Sequence, residues 1–139
     1  MFTGSVLDMT SNDLMYKLLD VLERKGFVLY YLKAYSTTSC YIKLDFGVCN
    51  SIRIADHKGI EKYRYTFNLM IGLDKSYEED GRYYYSVKDF DKMVNDIIAY
   101  RDKLQEQYGF GYYEKMLENK KQFLRKRKGF WERARSYND

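Results

Sequence analysis

His57 is the residue of this chain with the clearest capacity for acid-base chemistry, and it is the only histidine. It follows Asp56, and a carboxylate beside a histidine can orient the ring as a general acid or base. The four residues Asp-His-Lys-Gly at 56–59 are also typical of a turn after a strand, in which the aspartate caps the turn and the glycine supplies a positive φ. We therefore interpret His57 as a turn residue. A small hydrolase or nuclease that uses it is the less favoured alternative.

Two further groups of side chains could bind a metal ion or react as nucleophiles. Four carboxylates lie close together in the sequence: Asp74, Glu78, Glu79 and Asp80. A nuclease needs such a cluster for Mg²⁺, but a polar segment of this kind is explained more simply as an exposed, solubilising loop. Cys40 and Cys49 together with one histidine match no zinc spacing, and we expect free thiols on strands. The chain has no nucleophile elbow, phosphate-binding loop or dinucleotide fingerprint, so we expect no catalytic residues, no metal and no cofactor.

The C-terminal segment has the strongest charge asymmetry in the chain. Residues 112–139 hold nine Lys and Arg against four Asp and Glu, so this segment supplies the positive net charge of +4. Its densest part contains six cations: Lys120, Lys121, Arg125, Lys126, Arg127 and Lys128. On a helix these surround Phe123 and Leu124, and a cluster of that density attracts polyanions such as nucleic acid. The alternative is an inert, solvated helix face.

A second group of cations is expected on the predicted sheet. Lys43, Arg53 and Arg64 have the outward parity of neighbouring strands, so they should lie close together on a solvent-facing side. Such cations repel one another unless an anion lies among them. Asp45 could be that anion in a surface salt-bridge ladder, and a phosphate-bearing ligand or a nucleic-acid backbone is the alternative.

Hydrophobic periodicity predicts three helices and five strands. The helices are expected over residues 10–25, 89–108 and 112–137, and Gly129 could interrupt the third. The strands are expected over residues 27–35, 40–46, 51–55, 63–71 and 82–87. Polar turn residues indicate hairpins, and the alternation over 40–46 is typical of one buried and one solvent-facing side. These segregated elements favour an α+β fold with a mostly antiparallel sheet of about five strands, one N-terminal helix and two C-terminal helices.

Length and composition favour one folded domain. A chain of 139 residues that is 45% hydrophobic can bury one core, so we expect a single domain over residues 1–139 with a basic helical tail over 112–139. The chain has 16 tyrosines and no proline, and Tyr112, Tyr113 and Tyr137 flank the basic segment where they could reach a partner. Two cysteines, no apolar leader and no long apolar run predict a cytoplasmic protein without membrane contact.

Two short segments carry a resemblance to a known class of proteins. Ser-Cys-Tyr-Ile at 39–42 and Ile-Arg-Ile-Ala-Asp-His-Lys-Gly at 52–59 resemble a pattern of small accessory proteins from phages and prophages of AT-rich Gram-positive bacteria. Those proteins are expected to carry serine where this chain has Ala55. The resemblance implies a phage protein that acts in the host cytoplasm, possessing no catalytic residues and blocking host defence as anti-CRISPR proteins do.

The charge pattern bears on how such a protein would act. A net charge of +4 disfavours mimicry of DNA, which would require an acidic surface. We therefore expect a non-enzymatic binding protein that contacts nucleic acid or a nucleoprotein complex of the host. The alternatives are a general nucleic-acid-binding module and a protein that captures a small phosphorylated signal. The apolar stripe of the third helix, which includes Phe123, Phe130 and Trp131, leaves a homodimer open.

Overall fold

A computed structural model describes residues 6–34, 37–56, 65–125 and 129–138, and it confirms the α+β prediction. The described helices are α1 (Ser11–Arg24), α2 (Phe90–Tyr108) and α3 (Phe110–Arg125). The strands are β1 (Leu29–Lys33), β2 (Cys40–Leu44), β3 (Ser51–Ala55), β4 (Phe67–Met70), β5 (Tyr77–Glu79), β6 (Arg82–Ser86) and β7 (Arg135–Ser136). Single turns of 3₁₀ helix occur at Val6–Asp8, Asp45–Gly47, Val87–Asp89 and Phe130–Arg133.

Helix α1 forms because its first turn is capped and one of its faces is apolar. The Thr10 hydroxyl accepts from the backbone N–H of Asp13, and the Asp13 carboxylate accepts from the backbone N–H of Thr10. This reciprocal capping box satisfies two backbone donors that the helix itself leaves open. Five apolar side chains of the helix are fully buried: Leu14, Met15, Leu18, Leu19 and Leu22. The helix predicted over residues 10–25 is thereby confirmed.

The strands form one mixed sheet in the order β5-β6-β4-β3-β2-β1-β7. Strand β4 pairs in parallel with both β3 and β6, and the other described pairs are antiparallel. The prediction of five mostly antiparallel strands is therefore only roughly matched, and the predicted hairpin after β3 is wrong. Parallel neighbours require a crossover in place of a tight turn, and residues 56–66 make this connection.

The two sides of the sheet are covered by different parts of the chain. On the first side, alternate residues of the strands pack against α1 and α2 in the main hydrophobic core. On the second side, Tyr41 and Leu32 pack with Ala134, Phe123 and Trp131 from the C-terminal region. The expectation that β2 has a solvent-facing side is wrong, since Tyr41 is only 4% exposed.

The C-terminal region departs from the long helix predicted over residues 112–137. Helix α2 ends at Gly109, which has a φ of 53° that favours glycine, and α3 begins at the next residue. Helix α3 ends at Arg125, and beyond Gly129 the chain forms a 3₁₀ turn and then β7, which pairs with β1. The C-terminal region therefore returns to the sheet and does not project from it as a helical tail.

Candidate functional site

The sheet cations do not form the exposed group that the strand alternation predicts. Arg53 lies on β3 between Tyr41 of β2 and Asn68 of β4, and it is buried at 4% exposure. Lys43 is half-buried, with its Nζ 4.6 Å from the centre of the Trp131 ring, and burial lowers the pKa of Lys43. Arg64 lies outside the described residues. The expected exposure of Arg53 is wrong, and a binding role for these cations stays a prediction.

The C-terminal segment is the reason that this side of the sheet is closed. The 3₁₀ turn at Phe130–Arg133 lays the Phe130 ring edge-on against Tyr41, with the ring centres 4.8 Å apart. The cation of Lys43 faces the ring of Trp131, an arrangement that the negative face of an indole stabilises. A ligand cannot approach this part of the sheet without displacing these side chains.

Only part of the basic segment at residues 120–128 lies within the described residues. Lys120, Lys121 and Arg125 are exposed on the last two turns of α3. Lys126, Arg127 and Lys128 lie outside the described residues. We call the three described side chains the α3 cations. These three side chains are accessible to solvent, and their binding of a polyanion stays a prediction.

A second cluster of cations was missed by the sequence interpretation, and we call it the basic cavity. It is a surface cavity of about 550 Å³ lined by Tyr16, Tyr31, Leu32, Lys33, Arg133 and Arg135. Among the described residues no carboxylate lines it. Three cations from two distant parts of the chain therefore surround one concave surface.

Pairing between β1 and β7 positions the cations of the basic cavity. Arg135 is opposite Tyr31 in the register, and Lys33 follows two residues later on the same side of β1. Tyr16 of α1 meets Tyr31 edge-on with the ring centres 5.9 Å apart, and the Lys33 Nζ is 5.3 Å from the centre of the Tyr16 ring. The spacing of Arg133 and Arg135 at alternate residues was the available signal. It was hidden because the sequence predicted helix at these residues.

Tyr112 is placed differently from the prediction that it contacts a partner. It is 1% exposed, and its hydroxyl donates to Oδ2 of Asp45, whose Oδ1 accepts from the backbone N–H of Val28 at 2.8 Å. Asp45 and Phe46 have φ values of 50° and 53°, which non-glycine residues rarely adopt, and Asp45 is 3% exposed. This contact joins α3 to the loop after β2. Tyr113, by contrast, is 52% exposed.

The ionisable groups around Asp45 are held in their neutral forms more strongly than usual. Burial raises the pKa of Asp45, although the hydrogen bonds from Tyr112 and Val28 oppose this effect. Burial and the bond to Asp45 raise the pKa of the Tyr112 hydroxyl, and burial raises the pKa of the Cys49 thiol to about 12. These environments suit a structural contact, since a nucleophile or general base requires the deprotonated form.

The other groups considered for chemistry do not assemble into a site among the described residues. Cys40 and Cys49 are both free, as predicted, and both are buried. Cys40 lies on β2, but the expectation that Cys49 lies on a strand is wrong, since Cys49 lies in the turn before β3. His57 lies outside the described residues, and the four carboxylates at 74–80 are exposed on and around β5. The described part of the chain contains no group of three or more His, Cys, Asp or Glu that could hold a metal ion. No described helix is long and apolar enough to cross a membrane.

Comparisons of the chain with protein-family models, curated proteins and solved structures found no match. The resemblance of residues 39–59 to phage accessory proteins therefore stays a prediction. Any functional proposal must rest on the geometry of the charged surfaces.

Proposed function

We propose that this protein is a non-enzymatic binding protein that contacts nucleic acid, free or within a nucleoprotein complex. The observation that carries the proposal is the basic cavity, in which Lys33, Arg133 and Arg135 line one concave surface. Three cations that line one concave surface create a positive potential there, which attracts a phosphate group. Arginine also presents a planar fork of donors that matches two phosphate oxygens.

The surroundings of the basic cavity support a nucleic-acid ligand. Tyr16 and Tyr31 are partly buried, so each ring is held in place while part of it remains accessible. Aromatic rings beside cations are the usual combination in proteins that bind single strands. The α3 cations are exposed, and Lys120 lines a groove together with Ser136, the residue after Arg135. Positive charge therefore lies on both sides of the β7 edge.

The proposal is tested by reversing charge within the basic cavity. We expect Arg133→Glu/Arg135→Glu to weaken the binding of labelled single-stranded DNA or RNA by at least about tenfold, because phosphate contacts dominate such affinities. The dependence of log K on log salt should also become shallower by about one for each phosphate that the variant no longer binds. Fluorescence anisotropy at several salt concentrations measures both quantities.

The matched control changes the same amount of charge at the opposite edge of the sheet. Lys75 and Lys88 are exposed and lie beside β5 and β6, which are farthest from β7 in the strand order. We expect Lys75→Glu/Lys88→Glu to change affinity by less than about twofold. Equal losses in both double variants would mean that only net charge matters. Unchanged binding in Arg133→Glu/Arg135→Glu would refute a role for the basic cavity.

The cations of residues 120–128 are tested separately from the basic cavity. Lys126→Glu/Arg127→Glu should weaken nucleic-acid binding if these cations contact the phosphates of the nucleic-acid backbone. If both binding and biological activity are unchanged, these cations form only a solvated surface.

A small phosphorylated ligand is the second candidate, because the size of the basic cavity favours it. A volume of about 550 Å³ is within the range of small-molecule sites. Isothermal titration with mononucleotides and inorganic phosphate distinguishes the two ligands. Micromolar binding of a mononucleotide without binding of longer strands would favour capture of a small signal.

Inhibition of host defence is the biological setting that we propose for this binding activity, on the basis of the phage-type resemblance. The test is co-expression in a host that carries an active CRISPR system, with plasmid interference as the readout. Restored plasmid uptake that Arg133→Glu/Arg135→Glu abolishes would support it. Full interference in the presence of well-expressed protein would leave a general nucleic-acid-binding module as the better description.

A further inference from the structure

Helix α3 has a second apolar side that no described residue covers. Its inner side packs on the fold through Tyr112, Met116 and Phe123. Four large apolar side chains beside this inner side are exposed: Phe110 at 87%, Tyr113 at 52%, Leu117 at 54% and Leu124 at 55%. Tyr113 and Leu117 also border the groove between α3 and β1. A contiguous apolar surface of this kind commonly marks an interaction site.

The spacing of these exposed residues is that of a helix-pairing seam. Phe110, Leu117 and Leu124 are seven residues apart, and Tyr113 falls between the first two. Residues at these intervals form one stripe along a helix and can pack against a second helix. In the seam of α3 only Lys120 interrupts the apolar series. A lysine there can keep its charged end in water or pair it with an acid.

The charges beside the seam match a reversed copy of the same helix. Glu114 and Glu118 precede most of the cations, while Lys120 and Lys121 follow Leu117. In an antiparallel pair centred on Leu117, residues equally far before and after it lie at the same height, so Phe110 lies beside Leu124 of the second copy. Glu114 and Lys121 are seven residues apart and lie on the same flank of the seam, so Glu114 of one copy faces Lys121 of the other.

We propose that two copies of this chain associate antiparallel through the exposed side of α3, with Leu117 near the two-fold axis. A contact of this symmetry uses the same surface on both subunits and closes on itself. A parallel pair in register would instead set Lys120 against Lys120, with repulsion at the seam. An anionic membrane surface is a poorer match, because Glu114 and Glu118 lie beside the apolar residues where such a surface favours cations.

The dimer goes beyond the proposed function and leaves the basic cavity open. Helix α3 packs near the Tyr30 side of β1, through the contact of Tyr30 with Phe123. The basic cavity lies on the opposite side of β1, which carries Tyr31 and Lys33. Two cavities would thus be presented by one particle, while Lys121 would be engaged across the dimer contact.

The experiment is sedimentation equilibrium of the full chain without nucleic acid. We expect wild-type protein to approach twice the mass of one chain as the concentration rises from about 1 to about 300 µM, the range in which a small interface dissociates. Leu117→Glu should raise the dissociation constant at least about tenfold. The matched control is Leu7→Glu, since Leu7 is exposed to a similar extent, at 59%, outside α3. It should leave the mass unchanged.

A charge swap tests the antiparallel arrangement. Glu114→Lys should weaken association, Lys121→Glu should do the same, and the double swap should restore it, because each acid faces a base of the other copy. Failure of the double swap to restore association when both single variants weaken it would overturn this arrangement. Circular dichroism of each variant verifies that α3 remains folded.

Three results would overturn the dimer altogether. They are a monomer at every concentration, an unchanged mass for Leu117→Glu, and a monomer that binds phosphatidylserine vesicles through the same residues. The Arg133→Glu/Arg135→Glu variant should still dimerise. Failure of the nucleic-acid proposal is therefore distinguishable from failure of this one.

Discussion

Replacing Tyr112 with phenylalanine removes one hydroxyl from the buried contact that joins α3 to the loop after β2. The ring remains, so the change isolates the hydrogen bond that Tyr112 donates to Asp45. Asp45, which is 3% exposed, would retain only the bond from the Val28 N–H. Loss of a hydrogen bond to a buried charged acceptor costs about 1.5 to 3 kcal/mol of unfolding free energy. For a chain of this length, that corresponds to a decrease in Tm of about 5 to 10 °C.

The cost should depend on pH because the Tyr112 hydroxyl lowers the pKa of Asp45 while burial raises it. Without the hydroxyl, the pKa of folded Asp45 lies further above its unfolded value. The part of the unfolding free energy that comes from protonation of Asp45 is fully present below the pKa of the unfolded state and is lost as pH rises through the pKa of the folded state. In Tyr112→Phe, Asp45 therefore binds its proton at a higher pH than in the wild type. The difference between the two proteins is therefore greatest at neutral pH and decreases on acidification.

Urea unfolding at about pH 7 and about pH 5, followed by circular dichroism, measures both effects. Tyr113→Phe is the matched control, because Tyr113 is exposed and a surface change of this kind costs less than about 0.5 kcal/mol. A Tyr112→Phe loss no greater than that of the control at neutral pH would refute the reasoning. Further measurements at lower pH follow the loss downward, and a loss that stays constant over the whole range in which both proteins fold would refute the part that assigns it to the Asp45 carboxylate.

Three further predictions concern the sheet edge, the thiols and the joint between helices. Asn138→Ala removes two hydrogen bonds to the segment that begins β1, one from the Leu29 N–H and one to the Phe27 C=O. We expect the free energy of unfolding in urea to decrease by about 1 to 2 kcal/mol and hydrogen exchange in β1 to become faster. Cys40 and Cys49 should react with Ellman's reagent only after unfolding, since burial raises both thiol pKa values. Gly109→Ala should lower stability by about 1 to 3 kcal/mol because φ is 53° with ψ at −130°, whereas the helical Gly111→Ala should not lower it.

Local patterns were sufficient to predict the first and second helices. A threonine before an apolar face is typical of a helix N-terminus, and α1 does begin directly after Thr10. The structure adds a reciprocal capping box between Thr10 and Asp13. Gly109 at the end of an apolar stripe correctly predicts where α2 ends. These features depend on residues within one or two turns of each other. They can be read without knowing what else packs on the helix.

The burial of Arg53 could not be predicted in this way. A period of two shows that β3 has two sides, but it does not show which sides are covered. The residues that close the second side, Phe130 to Ala134, lie about eighty positions later in the chain. A polar residue was therefore assigned to solvent, although its neighbours Tyr41 and Asn68 are buried with it.

The parallel direction of β4 relative to β3 was not predicted. The alternation of a strand is the same in parallel and antiparallel pairing, so the turn residues at 56–59 suggested a hairpin. The next strand was expected to begin at residue 63, which left a connection of seven residues. In the structure β4 begins only at Phe67, and the longer connection accommodates a parallel crossover, which generally needs about ten residues or more.

The C-terminal region is part of the fold, and this decides how its charges must be tested. Arg133 and Arg135 sit in a segment that closes one side of the sheet through Trp131 and pairs with β1. A truncation at residue 129 would remove these cations, but it would also expose Tyr41 and leave the β1 edge open. Loss of nucleic-acid binding after truncation would then follow from structural damage as readily as from the removal of charge. Substitution of the exposed arginines changes their charge and leaves the pairing of β7 with β1 in place, so that experiment tests more directly whether the basic cavity binds phosphate.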